Sequence, residues 1–293
     1  GIGEINDRND FGQLMVWLIP MLFIFWRQNK TIKNIMFVFL PIGVLLLGVF
    51  LTHSRGALVA LTLIAVVAAR RRIGTLPAML LAGGLFVAAM ALRFTGGRGI
   101  SASEGEDRTG LWGEGMQIVR AHPLLGVGYG DLWERTEGYL TAHNSVVVCA
   151  AELGMVGLFF WSLYIFSTMR DAVALASPGK VCDGEPIVIE EGPLSYAALP
   201  PEEIGKTEIN QMGWAMVLSL LGFLAAGWFL SRAFVATLFL LGGLTEAVYE
   251  MAVRRGMIAP RLKLVRVILY SGVLAFALLL IVYVMIRVLN LMH

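Results

Sequence analysis

Eight apolar runs divide this 293-residue chain, at roughly 11–26, 35–51, 57–69, 78–92, 145–169, 211–230, 233–249 and 264–289. A bilayer core is spanned by about 20 mostly apolar residues in a helix. One such run fits a buried helix of a soluble protein, but eight in one chain do not. Composition agrees: 57% of residues are hydrophobic, 15% are charged and the mean hydropathy is +0.74, against roughly 25% charged in soluble domains. The expected fold is all-α, a polytopic transmembrane bundle of about eight spans. A net charge of +2 gives no basic surface for nucleic acid. Cys149 and Cys182 make no disulfide framework.

Basic residues alternate between the ends of the spans. Arg27, Lys30 and Lys33 follow the first, Arg70, Arg71 and Arg72 the third, and Arg254, Arg255, Arg261 and Lys263 the seventh. The intervening turns carry one arginine each, Arg55 and Arg232. Positive loops are retained in the cytoplasm, which puts Asn6, Arg55, the 93–144 loop and Arg232 on the outer face. The chain therefore divides into a membrane region with outer-face loops (1–169), a cytoplasmic acidic, proline-rich loop (170–210) and C-terminal membrane helices (211–293). The stretch 177–210 holds five prolines and seven acidic residues, a composition of poorly ordered segments, with room for a short extended piece at 186–190. Gly1–Asp10 is polar and leads straight into the first span, as expected of the C-terminal part of a longer protein.

Polar residues at membrane depth need a reason, and they fall into four clusters. Asn6-Asp7-Arg8-Asn9-Asp10 precedes the first span; Asn9 or Asp10 can cap its helix or meet a ligand. Thr52-His53-Ser54-Arg55-Gly56 makes a tight hairpin. Arg55 either snorkels to headgroups or holds a phosphate through paired donors, and His53 reads as structural. In the outer loop, Leu111, Trp112, Gly115, Met116 and Val119 fall at helical spacing, predicting an amphipathic helix over 108–122 that Pro123 stops. It opens on Arg108, where free amides also favour anions, and Trp112 suits the headgroup level. Gly126, Gly128 and Gly130 follow, letting backbone approach a ligand or a neighbouring helix. Finally, Ala142-His143-Asn144 opens the fifth span. A lone histidine is usually structural, but a neutral imidazole is also the natural general base near neutral pH. Glu152, two turns further on, reads as a hydrogen-bonded structural carboxyl rather than a base, although an ionisable group at membrane depth is by default a functional candidate.

In this order the clusters NDRNDFG (6–12), LTHSRGAL (51–58), Arg108–Trp112 with HPLLGVGYG (122–130), and AHNSVVVCAAELGMVG (142–157) resemble the O-antigen ligase and O-antigen polymerase superfamily of bacterial membrane glycosyltransferases. The likeness runs from Asn6 to Met169. It implies transfer of a glycan from an undecaprenyl-diphosphate-linked donor to an acceptor hydroxyl on the outer face of the inner membrane. The implied reaction is inverting and metal-independent, and needs no cofactor. Its partners are the donor, a glycan or lipid-linked acceptor and membrane lipid. By the resemblance Arg55 and Arg108 bind the diphosphate and His143 activates the acceptor, with Asn9, Asp10, Trp112 and Asn144 lining the substrate. Relatives carry about ten to twelve spans, and often Asp-Pro-Asn where this chain reads Asp7-Arg8-Asn9. The physical logic agrees, because fixed guanidinium groups stabilise charge growing on a departing diphosphate. No cluster of carboxylates is spaced for Mg²⁺. The rival reading is a transporter or flippase of lipid-linked glycans, which would place polar groups on broken helices at the midplane.

Overall fold

Apolar helices joined by turns of one or two residues must lie side by side and antiparallel. The computed structural model describes residues 8–91, 102–136, 140–177, 206–258 and 264–291, without the side chains of 90, 102–108, 206–207 and 289–291. Every regular element among them is helical: α1 (Arg8–Leu22), α2 (Thr31–Asn34), α3 (Leu40–Thr52), α4 (Arg55–Ile73), α5 (Thr75–Ala91), α6 (Ala102–Ala121), α7 (Leu132–Arg135), α8 (Ser145–Ala176), α9 (Lys206–Gly227), α10 (Ala236–Arg254) and α11 (Leu264–Leu291). A π-helical turn, Ile35–Phe39, joins α2 to α3 into one apolar rod, Thr31–Thr52. Each of the eight expected runs is a helix. Five helical segments are long and apolar enough to cross a membrane, namely Thr31–Thr52, Ser145–Ala176, Glu208–Gly227, Ala236–Arg254 and Leu264–Val288. The chain is a multi-pass helical membrane protein.

The centre of the bundle is α8 and α9, whose apolar windows are 61% and 56% buried, against 11% for Thr31–Thr52. α9 packs on α1, α4 and α8, and α8 in turn on α6, α10 and α11. Between helices in lipid, close contact depends on small residues and on polar groups that bond across. Both are present. A Cβ on Gly12 would lie 3.0 Å from Ala57 and 3.2 Å from Ser54, and one on Gly222 3.2 Å from Val16. Ser219 donates to the Trp17 carbonyl at 2.7 Å and Gln13 to that of Phe223 at 3.0 Å, stitching α9 to α1.

The two ends of the bundle differ as the charge alternation predicts. At one end Arg71 stacks 3.3 Å over the Trp214 ring, Arg27 pairs with Glu208 at 3.8 Å, and Asn210 and Trp214 donate to the Ala176 carbonyl. The basic loops after α1 and α4 thus share an end with the start of α9. Most of the acidic loop expected at 177–210, including the extended piece at 186–190, lies outside the described residues, and α9 starts at Lys206 rather than at 211.

Candidate functional site at the opposite end of the bundle

The turn between α3 and α4 is built by its own side chains. α3 stops at Thr52, whose Oγ1 donates to the Val49 carbonyl at 2.7 Å. His53 then adopts the left-handed conformation (φ 52°) that reverses the chain, and its ring packs edgewise on Phe50. Ser54 caps α4, its Oγ accepting the Ala57 amide at 3.3 Å. Arg55 is therefore the first residue of α4, half-buried at the helix start, where backbone partial charge favours anions. His53 has a structural place in this turn.

The entry to α8 is built the same way. Asn144, fully buried, caps the helix through Oδ1, which accepts from Val146 and Val147 at 2.9 and 3.1 Å. Its Nδ2 has no hydrogen-bond partner among the described residues. His143 precedes it with φ 46°. Its amide donates to Ser231 Oγ at 2.9 Å, and Ser231 donates in turn to Thr141 Oγ1 at 2.7 Å. Ser145 donates to the Leu230 carbonyl at 2.8 Å and accepts the Arg232 amide at 3.1 Å. The segment before α8 and the turn after α9 are thereby zipped together.

Arg232 then reaches α1. Its guanidinium grips Asp10 with two donors, one of them Nε to Oδ1 at 2.7 Å. Asp10 is buried, and with Asn9 it sits in the first turn of α1 rather than at the cap, because the helix already starts at Arg8. The Asp10 carboxylate, expected at the substrate, thus has a protein partner. The adjoining residues tie in the remaining turn: a Cβ on Gly56 would lie 3.5 Å from Phe229. Asp10, Arg55, His143 and Arg232 consequently share one end of the bundle, opposite the basic loops. Sequence reasoning placed Arg232 on the outer face but gave it no role. Its partner lies 222 positions away, a separation no local pattern encodes.

α6 lies over this end. It starts at Ala102, earlier than expected, which puts Arg108 inside the helix and not at its first free amides. The acidic run Glu104, Glu106, Asp107 explains the early start, since carboxylates favour the N-terminal turns. The Arg108 side chain lies outside the described residues. The face expected to be apolar is the buried one, with Leu111, Trp112 and Val119 all under a tenth exposed. Trp112 packs inward, its ring edge-on to Trp228 at 6.4 Å. His122 is exposed and follows the last residue of α6, where Pro123 ends it.

The three glycines answer the question the sequence left open, and their neighbour is a helix. α8 breaks at Gly154 (φ 67°). The 123–130 loop fills the break: Val127 and Gly128 donate to the carbonyls of Ala151 and Glu152 at 3.0 and 2.9 Å, and the Met155 amide donates to the Pro123 carbonyl at 2.8 Å. The Glu152 carboxylate accepts the amides of Gly130 and Leu132, the structural part expected of it. Beside Ser145 an apolar cavity of about 110 Å³, lined by Val146, Trp161, Phe223, Trp228 and Leu278, opens between α8, α9 and α11.

An all-helical membrane bundle with a network of polar side chains tied together at one end, beside an apolar cavity, is the class of protein these features define. Residues 40–162 match the family model described as O-antigen ligase. Over that stretch the chain is similar to the O-antigen ligase family. No curated protein matches the chain significantly.

Proposed function

We propose that this chain transfers a glycan from an undecaprenyl-diphosphate-linked donor to an acceptor hydroxyl at the outer face of the inner membrane, in an inverting, metal-independent reaction. The observation that supports this most is the shared position of Arg55 and the His143 segment at one end of the bundle, within the stretch that matches the family. His143 takes the acceptor's hydroxyl proton as the oxygen attacks the anomeric carbon. The bond from that carbon to the diphosphate breaks, and the electron pair leaves with undecaprenyl diphosphate. Arg55, with Arg108 from α6, stabilises the charge growing on the leaving group. Asn9, Asp10, Trp112 and Asn144 belong to the walls of the same site, Asn144 through its buried, unpartnered Nδ2.

The break in α8 bears on the transporter reading, since transporters use broken helices to hold ions and substrates. Here the freed groups are used internally. Ala151, Glu152, Met155 and Val156 bond to the 123–130 loop, which favours surface chemistry over passage through the bilayer. The deciding experiment supplies membranes containing the chain with lipid-linked glycan extracted from the native cells, and follows release of undecaprenyl diphosphate together with glycosylated acceptor. Both products in equal amounts support the proposal. Movement of the intact lipid-linked glycan across the membrane with neither product overturns it.

A further inference from the structure

The geometry points to Ser231 as a positioning residue for His143, held in place by the Asp10–Arg232 ion pair. This rests on the reading of His143 as the general base. The starting observation is the His143 backbone, which sits at φ 46°. A non-glycine residue stays in that region only where its surroundings over-determine it. The amide of His143 donates to Ser231 Oγ at 2.9 Å, and that hydroxyl is itself oriented by donating to Thr141 Oγ1 at 2.7 Å. Its neighbour Asn144 is already committed to capping α8. A hydroxyl 88 positions away in sequence therefore holds the backbone from which the imidazole leaves the chain.

Ser231 is itself anchored on both sides. The Leu230 carbonyl accepts from Ser145 and the Arg232 amide donates to Ser145. The Arg232 side chain is clamped by Asp10 of α1. Asp10, Ser231 and Arg232 all lie outside the matched residues 40–162, so the base on a family-matched segment is held by parts of the chain that the match does not cover. A displacement of about 1 Å at a reacting group costs on the order of 100-fold in rate, which makes such a support chemically consequential without any contact to substrate.

The test is a double-mutant cycle on the full chain in native membranes, reading release of undecaprenyl diphosphate from lipid-linked glycan extracted from the same cells. Ser231→Ala is expected to lower kcat about 10- to 50-fold with KM for the donor within about twofold, and Ser231→Thr, which keeps the hydroxyl, to recover most of it. In a His143→Ala background, Ser231→Ala should add less than about twofold, because residues acting as a unit are not additive. Membrane abundance and thermal midpoint are measured for each variant. If Ser231→Ala is poorly folded, Ser231→Cys, similar in size with a weaker donor, takes its place in the cycle. An inactive His143→Ala beside a fully active, or a fully additive, Ser231→Ala overturns the inference alone. A fully active His143→Ala overturns the reading of His143 and the inference with it.

Discussion

Gly154 of α8 and Leu124 of the loop before it are packed so tightly that a Cβ on Gly154 would overlap the Leu124 carbonyl. Gly126 faces the Glu152 carbonyl in the same way. Both glycines have positive φ, 67° in each case. Gly154→Ala and Gly126→Ala are expected to lower the thermal midpoint strongly, since the left-handed conformation alone costs about 1–3 kcal/mol and the overlap adds to it. Gly130→Ala is the control: φ is 81° but among the described residues nothing lies within 4 Å, so only the conformational cost is expected. Thermal unfolding in detergent, read by fluorescence-detected gel filtration, should rank the third variant clearly above the first two.

Arg55→Ala and Arg108→Ala should each remove most glycan transfer, by about 100-fold or more, while leaving the protein in the membrane. Lysine should rescue poorly, because it lacks the planar fork that meets two phosphate oxygens. The measurement is undecaprenyl diphosphate release at matched expression. Full activity in an alanine variant removes that arginine from the site.

His143→Ala should lose about two to four orders of magnitude in rate with donor binding intact. The sign of the pH effect follows from the role. Protonated imidazole has no lone pair to accept the acceptor's proton, so the wild-type rate falls as pH is lowered, and that acid limb should vanish in His143→Ala. His122, exposed beyond the end of α6, should tolerate alanine. Normal turnover by His143→Ala beside an inactive His122→Ala would move the role to His122.

Asp10 and Arg232 form an ion pair between distant parts of the chain, in which Asp10 is buried and the arginine is a quarter exposed. Removing one partner strands the other, and such losses reach about 3–5 kcal/mol for fully buried pairs; partial exposure of Arg232 lowers the figure here. Asp10→Ala and Arg232→Ala should each depress the thermal midpoint, and the double variant should recover part of the loss. Strict additivity of the two effects would show the pair to be energetically idle.

Much of this was legible before any coordinates. Each apolar run became a helix, and His53, Pro123 and Glu152 hold the structural places their residue types predicted. What stayed hidden was long-range or backbone-borne. Arg232 reads as one more snorkelling arginine until Asp10, 222 positions away, is beside it. The alternating glycines signal close approach but not to what. The early start of α6 was masked by carboxylates that read equally as loop or as the charged first turns of a helix. Trp112 faces inward because an amphipathic pattern fixes which face is buried but not what covers it.

Arg108 should be labelled by an impermeant thiol reagent in intact spheroplasts when replaced by cysteine in a Cys149- and Cys182-free background, and Arg71 should not. Protection of position 108 with labelling at 71 would invert the topology drawn from the basic loops.

The filled break in α8 has an evolutionary consequence. The helix bearing Arg108 and the helix that His143 opens are joined by main-chain hydrogen bonds from the 123–130 loop. Their mutual register is written in main-chain atoms, which every residue type but proline supplies as both donor and acceptor. Exposed side chains along both helices can thus change without moving one helix against the other, while Gly126 and Gly154 keep the frame in alignment.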